Sequence, residues 1–187
     1  MKEKKKALRS EIKHAIIMLN MDDCIQMDAK IREQVTSFSE YQNADTIFCF
    51  VGTKDEIDTV PILTHVLQSR KRLGVPKCIG KGIMEVYEIQ DLQDLVLGSY
   101  GILEPKDGLP RIAPETIDLA LVPCLSCNES GWRLGYGGGF YDRYLTRTKA
   151  KRVVLCRSSL MREDIPAEPY DLKMDYVITE KGIVSVG

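Results

Sequence analysis

A chain of 187 residues with 44% hydrophobic and 28% charged residues can bury a substantial core, and we expect one domain spanning residues 1–187. The formal net charge of -1 provides no global field for nucleic acid or an anionic membrane, so neither is expected as a partner, and nothing indicates an obligate protein partner. The sequence contains neither a membrane-spanning apolar stretch nor a signal-peptide pattern, which predicts a soluble, cytoplasmic protein.

Hydrophobic spacing predicts two helices at the start of the chain, one carrying Leu8 and Ile12 and a second beginning near Asp22. The apolar run 46–51 is typical of a strand buried on both faces, and a helix is predicted over 58–72. Weaker patterns predict strands over 74–78 and 84–89, a short helical segment over 91–95, and a loop over 98–114 that we expect at an active-site edge.

The second half of the chain continues this alternation of strands and helices. The predicted elements are a strand over 117–122, a helix over 140–148, strands over 152–156 and 176–179, and a terminal strand over 183–186. Such an order indicates an α/β fold, namely a three-layer α/β/α architecture with a mainly parallel, doubly wound, Rossmann-like sheet.

The six cysteines do not suggest a disulfide framework. Cys49 and Cys156 lie in apolar runs and Cys24 in a helical pattern, which is typical of reduced, buried thiols. Cys124 and Cys127 have C-x-x-C spacing, but without a second pair or a nearby histidine they make a poor zinc site. A redox or metal role for this pair is therefore a minority hypothesis, and two small residues in a loop are the favoured one.

Residues 131–144 form a glycine-rich segment that follows the predicted strand 117–122. Glycine clusters between a strand and a helix indicate positive φ angles or a close approach of the backbone to a ligand. At the carboxyl end of a parallel strand, free N–H groups and a helix start favour a phosphate chain. Arg133 and Arg143 are candidates to bind phosphate oxygens, and Asp142 offers a carboxylate oxygen of the kind that Mg²⁺ prefers.

The same glycine-rich segment is also compatible with purely structural roles. It matches neither the Walker pattern nor the dinucleotide fingerprint, and a flexible connection would also be glycine-rich. Tyr136, Phe140 and Tyr141 are equally typical of packing over the strand ends. The charged residues of the segment are likewise typical of surface salt bridges.

Four segments resemble one known family. The segment Arg133–Arg143 resembles the R-L-G-x-G-x-G-[YF]-Y-D-[RA] signature of the 5-formyltetrahydrofolate cyclo-ligases, also called methenyltetrahydrofolate synthetases. The segment 5–9 resembles the basic K-x-x-L-R opening of that family, 50–57 its segment after the first strand, and 174–176 its late aspartate before a strand. The four segments occur in the order of the family.

The resemblance implies an ATP-dependent conversion of 5-formyltetrahydrofolate to 5,10-methenyltetrahydrofolate with release of ADP and phosphate. The formyl oxygen is expected to be phosphorylated before N10 closes the ring. ATP is the implied co-substrate, reduced folate the substrate and Mg²⁺ the cofactor.

The resemblance also implies site residues. ATP binding is expected at Lys5, Lys6, Ala7, Leu8, Arg9, Arg133, Leu134, Gly135, Tyr136, Gly137, Gly138, Gly139, Phe140 and Tyr141. Folate binding is expected at Val51, Glu56, Tyr136, Gly137, Gly138, Gly139 and Phe140. Arg133 and Arg143 are the expected catalytic residues, and Asp142 and Asp175 the expected metal ligands.

Two departures from the family and two alternative functions accompany this prediction. Phe140 stands where tyrosine is common, and the pair Cys124 and Cys127 replaces the usual residues before the loop. A sugar-phosphate isomerase or acyl-CoA transferase on a related sheet would need no nucleotide. A non-catalytic module that holds nucleotide or folate is the other alternative.

Overall fold

The computed structural model describes residues 1–98 and 100–187. Its α-helices are α1 (Lys2–Ile17), α2 (Met21–Ser37), α3 (Ser39–Asn43), α4 (Val60–Leu67) and α5 (Phe140–Leu145). Its strands are β1 (Thr46–Cys49), β2 (Arg72–Gly80), β3 (Ile83–Ile89), β4 (Leu95–Leu97), β5 (Leu103–Pro105), β6 (Leu119–Val122), β7 (Ser126–Cys127), β8 (Arg133–Leu134), β9 (Lys151–Leu155), β10 (Tyr176–Thr179) and β11 (Gly182–Ser185). Short 3₁₀ helices cover Leu92–Asp94, Pro114–Thr116 and Ser158–Leu160.

The two predicted opening helices are confirmed. The start of α2 is fixed by Asn20, whose side chain accepts hydrogen bonds from the backbone N–H groups of Asp22 and Asp23. This cap satisfies donors that the first helical turn leaves free, and the two aspartates complement the positive end of the helix dipole. Leu8 and Ile12 of α1 and Ile31 and Val35 of α2 are buried in the cores on the two faces of the sheet.

A seven-stranded sheet in the order β11-β10-β9-β6-β1-β2-β3 forms the centre of the fold. The strands from β10 to β2 pair in parallel, whereas β3 and β11 pair antiparallel at the two edges. The predicted α/β class with a mainly parallel sheet is therefore confirmed. Parallel strands need a cover on both faces, which explains why β1 and β6 are buried throughout and why β9 is apolar and buried from Val153 onward.

Successive side chains of one strand enter two different cores, which gives the fold its three layers. In β1, Phe48 packs with Leu8 and Ile12 of α1 and with Tyr144 of α5. The neighbouring side chains of Phe48 along β1 face the other way, into a core that contains the buried residues of α2 and α4. Both cores are thus built from every central strand, with the period of two that a strand imposes.

Several boundaries differ from the sequence predictions for physical reasons. Helix α4 ends at Leu67 because Arg72 already pairs with Thr46 in the sheet. The expected loop 98–114 contains β5, which pairs with β4. Helix α5 ends at Leu145 and has only 6 residues. The glycine segment does not follow β6 directly, because the antiparallel pair of β7 and β8 lies between them.

The chain order creates a crevice at one end of the sheet. From β1 the chain moves to β2 on one side, whereas from β6 it moves to β9 on the other. Such a reversal separates the loops that follow β1 and β6, and ligands bind at this position in open α/β sheets. Within the described residues, no helix combines the length and apolar character that a bilayer crossing requires.

Candidate active site

A cavity of about 1200 Å³ opens at the carboxyl ends of β1 and β6. One wall consists of residues 133–143 together with the start of α1, and the facing wall contains Val51 and Glu56. The loop after β4 contributes Tyr100 and Ile102, and strand β5 contributes Glu104. The structure therefore brings most of the predicted site residues into one space.

Two glycines of the loop have conformations that L-residues rarely adopt. Gly137 has φ 101° and Gly139 has φ 65°, both in the region that favours glycine. A Cβ atom on Gly137 would lie 3.4 Å from Cζ of Arg9, and one on Gly139 would lie 2.9 Å from Nη1 of Arg143. Both backbone conformations therefore favour glycine, and at Gly139 a Cβ atom would also crowd the guanidinium of Arg143.

Arg9 connects the first helix to this loop, because its Nε donates a hydrogen bond of 2.8 Å to the carbonyl oxygen of Gly135. Lys5, one turn earlier on α1, is buried and contacts Glu168 at 2.9 Å and Asp171 at 2.5 Å. Burial alone lowers the pKa of Lys5, but its hydrogen bonds to the two carboxylates outweigh this effect and raise the pKa above the ordinary value. Lys5 therefore carries a positive charge that two acidic residues already balance.

The rest of the predicted basic segment does not line the cavity. Lys6 and Ala7 are exposed on α1, and Leu8 is buried in the core. The helical period explains this difference, since positions three or four apart, such as Lys2, Lys5 and Arg9, share one face.

Arg133 lies at the centre of the loop wall, with its side chain only 6% exposed. Its Nη2 donates to Oδ1 of Asp142 at 3.0 Å, and its guanidinium lies 5.7 Å from the ring centre of Tyr141. The Nε of Arg133 is buried and has no hydrogen-bond partner among the described residues. A buried donor without an acceptor is costly, so this atom is suited to an anionic ligand.

Arg143 was expected to bind phosphate oxygens, but in the structure its guanidinium donates to backbone carbonyl oxygens. Its Nε donates to the carbonyl oxygen of Gly82 at 2.9 Å, and its Nη2 to that of Gly138. The side chain thus connects the turn between β2 and β3 to the glycine loop. Helix α5 is also too short to provide the strong dipole expected for the anion site, so charge at this wall comes mainly from side chains.

The facing wall is formed by the segment after β1. Val51 is buried, and Oε2 of Glu56 accepts a hydrogen bond of 2.9 Å from the backbone N–H of Thr53. Desolvation and the neighbouring carboxylate of Glu56 raise the pKa of Tyr136. Tyr136 is therefore a neutral hydroxyl at physiological pH, next to a carboxylate acceptor.

Aromatic side chains border the cavity between these walls. The rings of Phe140 and Tyr100 meet edge to face at a centroid distance of 6.3 Å. Tyr141 stacks on Phe48 of β1 at 5.8 Å, so it connects the loop to the core. All three of Tyr136, Phe140 and Tyr141 line the cavity, and Phe140 and Tyr141 also pack against the core, so their positions are compatible with both the ligand and the packing hypotheses.

The two predicted metal ligands do not share this cavity. Asp142 lines it, whereas Asp175 lies in a separate cavity of about 360 Å³. Asp175 accepts hydrogen bonds from the backbone N–H of Arg152 at 2.8 Å and from its guanidinium at 2.9 Å. Burial would raise the pKa of Asp175, but these bonds outweigh it and lower the pKa. Asp175 is thus occupied in an ion pair beside the sheet.

Several residues of the cavity had no signal in the sequence. Glu168 and Asp171, which hold Lys5, belong to a segment without periodicity, and they are more than 160 residues from their partner. Tyr100 and Glu104 were expected only as parts of an edge loop. For Glu168 and Asp171 the sequence offered only a weak indication, because Glu-Pro-Tyr-Asp over 168–171 is typical of a turn and is rich in groups that bind cations.

Together these features define a class: an α/β enzyme fold with a glycine loop and converging cations that suit a phosphate-bearing ligand. The sequence matches the 5-formyltetrahydrofolate cyclo-ligase family over residues 1–180. The chain therefore belongs to the 5-formyltetrahydrofolate cyclo-ligase family and is an enzyme of that family.

Individual relatives agree with this assignment. The chain is 31% identical to the mitochondrial 5-formyltetrahydrofolate cyclo-ligase of Arabidopsis thaliana, over 98% of this chain and 76% of that protein. It is 26% identical to the mouse enzyme of the same name, over 94% and 93% of the two chains. The structure of 5,10-methenyltetrahydrofolate synthetase from Aquifex aeolicus superposes with a TM-score of 0.87 at 30% identity, covering 97% of this chain and 92% of that one.

Proposed function

We propose that this chain converts 5-formyltetrahydrofolate to 5,10-methenyltetrahydrofolate with ATP, through a phosphorylated formyl oxygen. In the first step the formyl oxygen attacks the γ-phosphorus of ATP and ADP leaves. In the second step N10 attacks the activated formyl carbon, and phosphate leaves as the ring closes. Neither step needs a covalent bond to the protein, so the chain contributes positioning and stabilisation of charge.

The observation that carries this proposal is the size and two-sided character of the cavity. Single small-molecule sites occupy roughly 300–1,000 Å³, whereas this cavity measures about 1200 Å³. Its walls also differ, with arginines, backbone and aromatic rings of the glycine loop on one side and Val51 and Glu56 on the other. A cavity of this kind suits two ligands that must meet, one anionic and one a flat heterocycle.

The loop wall is the proposed site of the ATP phosphates. Arg133 has a buried Nε–H that lacks an acceptor within the described part of the chain. Arg9 uses its Nε for Gly135, which leaves both of its terminal nitrogens for phosphate oxygens. Arg133 is the proposed catalytic residue, since a rigid guanidinium in a water-poor site acts on charge that develops during transfer. Arg143 is proposed to hold the loop conformation.

The residues present suit one Mg²⁺ ion at Asp142. Oδ1 of Asp142 accepts from Arg133 at 3.0 Å and from the backbone N–H of Leu172 at 3.3 Å, so Oδ2 is available as a ligand. Magnesium in nucleotide sites is held by one or two carboxylates together with phosphates and water. When bound, it neutralises charge on the phosphate oxygens. Asp175 is committed to Arg152 and does not suit this role.

The facing wall is the proposed site of the pterin ring. Glu56 offers a carboxylate to the N–H groups of the ring, and Tyr136 offers a neutral hydroxyl beside it. Phe140 has no hydroxyl and therefore contributes packing alone. The edge loop with Tyr100 closes this side of the cavity.

An absorbance assay tests the proposed function. Incubation with 5-formyltetrahydrofolate and Mg-ATP should produce the near-ultraviolet band of the methenyl product, and no band should form without ATP or with excess chelator. Equal turnover without nucleotide would contradict the proposal. Unchanged turnover in chelator, after tightly bound metal has been removed, would contradict the role of Asp142 in holding Mg²⁺.

A further inference from the structure

Three cysteines that are distant in sequence meet behind the wall that carries Arg133. The Sγ atoms of Cys124, Cys127 and Cys156 all lie within 4.8 Å of one another. Cys127 and Cys156 are 0% and 3% exposed, and Cys124 is half-buried. The C-x-x-C pair thus has a third thiol beside it.

The sheet register explains this convergence. Val122 of β6 pairs with Val154 of β9 in parallel, and Cys124 and Cys156 each follow two residues later. Equivalent positions beyond paired parallel strands lie next to each other, on the same edge of the sheet. Cys127 is in β7, which folds back beside them because Ser126 pairs with Leu134. All three cysteines therefore lie in a strand or in a turn that directly follows a strand.

The arrangement suits one thiophilic ion. At a metal–sulfur distance of about 2.3 Å, three sulfurs around one ion lie roughly 4 Å apart, so small side-chain movements suffice. In the residues that the structure describes, no His, Asp or Glu completes the group. The half-buried Cys124 leaves one side for water, and three thiolates with a water match the tetrahedral preference of zinc.

A divalent ion is favoured over a monovalent one by charge. Three thiolates with a divalent ion leave a single negative charge, whereas a monovalent ion would leave two charges in a mostly buried position. As thiols, Cys124 and Cys156 donate weak S–H hydrogen bonds of 3.5 and 3.4 Å to the backbone carbonyl oxygens of Leu155 and Arg157, which a metal can displace at little cost.

We propose that Cys124, Cys127 and Cys156 bind one Zn²⁺ ion as three thiolates. Binding releases the three thiol protons to solvent, and one water molecule occupies the fourth position. The site is separate from the proposed magnesium site, which offers only hard oxygen ligands. Because Cys127 pairs with Arg133 in the hairpin, an occupied site fixes the strand from which that arginine extends.

Zinc retention by the full chain tests this proposal and needs neither ATP nor folate, so its failure is distinguishable from failure of the proposed function. Reduced protein is loaded with Zn²⁺, passed through a desalting column and assayed for metal. We expect one zinc per chain in the wild type and in Cys24→Ser, whose thiol lies outside the cluster on α2. We expect the zinc to be lost in Cys127→Ser and Cys156→Ser. Equal retention in all four proteins, or none in the wild type, would overturn the proposal.

A measurement on the unaltered chain covers the case in which a serine variant does not fold. Alkylation of the wild type, read by peptide mass, should show that Zn²⁺ protects the half-buried Cys124 and leaves Cys24 as reactive as before. Substitution by Co²⁺ should give the sulfur-to-metal absorption of a tetrahedral thiolate site. Alkylation of Cys124 at the same rate with and without Zn²⁺, or no such absorption with Co²⁺, would overturn the proposal.

Discussion

Arg133 combines burial, an ion pair to Asp142 and a buried N–H that has no partner among the described residues, and its replacement tests the loop wall most directly. We expect Arg133→Ala to lower kcat by about 10²- to 10³-fold, the usual effect of removing one preorganised donor to developing charge. Steady-state kinetics at saturating ATP measures this effect. Arg147→Ala is the matched control, because Arg147 follows α5 and pairs with Glu85 away from the cavity. A near-normal rate in Arg133→Ala would leave that residue with only its ion pair to Asp142.

Glu56 is the residue whose structural and functional roles are hardest to separate, since Oε2 already accepts from the N–H of Thr53. Glu56→Gln keeps an oxygen for that bond but presents a donor amide to the pterin. Loss of a hydrogen bond to a charged group costs about 1.5–3 kcal/mol, so folate affinity should fall roughly ten- to hundredfold. ATP affinity should remain unchanged.

Titration of both ligands distinguishes the two roles of Glu56. Asp55→Asn is the control, because it removes a neighbouring carboxylate that is exposed and does not line the cavity. Equal folate affinities of the wild type and Glu56→Gln would exclude Glu56 from the pterin site. A parallel loss of folate and ATP affinity would indicate a damaged fold instead.

At the level of elements, the loop after β1 is held in place from α2 and from the end of β9. Arg157 donates to both carboxylate oxygens of Asp28, at 2.8 and 2.9 Å, and to the carbonyl oxygen of Glu56 at 3.0 Å. Asp28 also accepts from the N–H of Asp58 at 2.9 Å. This nearly buried ion pair therefore fixes the backbone on which the Glu56 carboxylate stands.

Removing one partner of this pair should weaken both stability and folate binding. Breaking a buried pair from one side costs about 3–5 kcal/mol, because the remaining charge stays unpaired. We expect Arg157→Met to lower the urea midpoint and to raise the KM for folate more than that for ATP. The double variant Asp28→Asn with Arg157→Met should recover part of the stability. Strictly additive losses in the two single variants and the double variant would show that the pair is not coupled.

The elements also show what local sequence can predict. Strands β1 and β6 are buried throughout, and β9 and β10 are buried from Val153 and Val177 onward, so the sequence pattern was sufficient to find all four. The β4–β5 hairpin was missed because Val96 and Leu97 are exposed and its partner strand ends at Pro105. Strand pairing set the end of α4, and no local propensity contains that information.

The predictions for the site divide in the same way, into those that local sequence supports and those that it does not. The glycine loop was predicted from its own residues, whereas Arg9 and Glu56 were predicted only from the family resemblance, and Arg9 contacts Gly135, 126 residues away. The partners of Lys5 and the third cysteine of the cluster could not be found, since they depend on long-range pairing. Asp175 is the reverse case. The family resemblance predicted it as a metal ligand, but it is ion-paired with Arg152 and lies outside the cavity.

At the scale of the whole molecule, the two ends of the chain meet at the cavity. Lys5 of α1 contacts Glu168 and Asp171. Helix α1, which precedes the first strand, therefore closes the site together with the segment that precedes β10. The raised pKa of Lys5 means that these pairs contribute stability below its ordinary pKa, and the contribution is lost as pH rises through the higher folded value. Both layers of helices moreover depend on the same central strands.

This shared dependence predicts that residues 1–187 unfold as one cooperative unit. The single tryptophan, Trp132, lies on the turn between β7 and β8 and packs against the core beneath α1 and α5. Tyr41 and the helices α2 and α4 belong to the opposite core. In a urea titration we therefore expect tryptophan fluorescence and far-ultraviolet circular dichroism to change together, with one midpoint and one slope. Saturating Mg-ATP should shift both signals equally, because a ligand of the folded state stabilises every part of one cooperative unit. Two separated midpoints, or a shift of the fluorescence signal alone, would mean that the face carrying the glycine loop unfolds independently of the other.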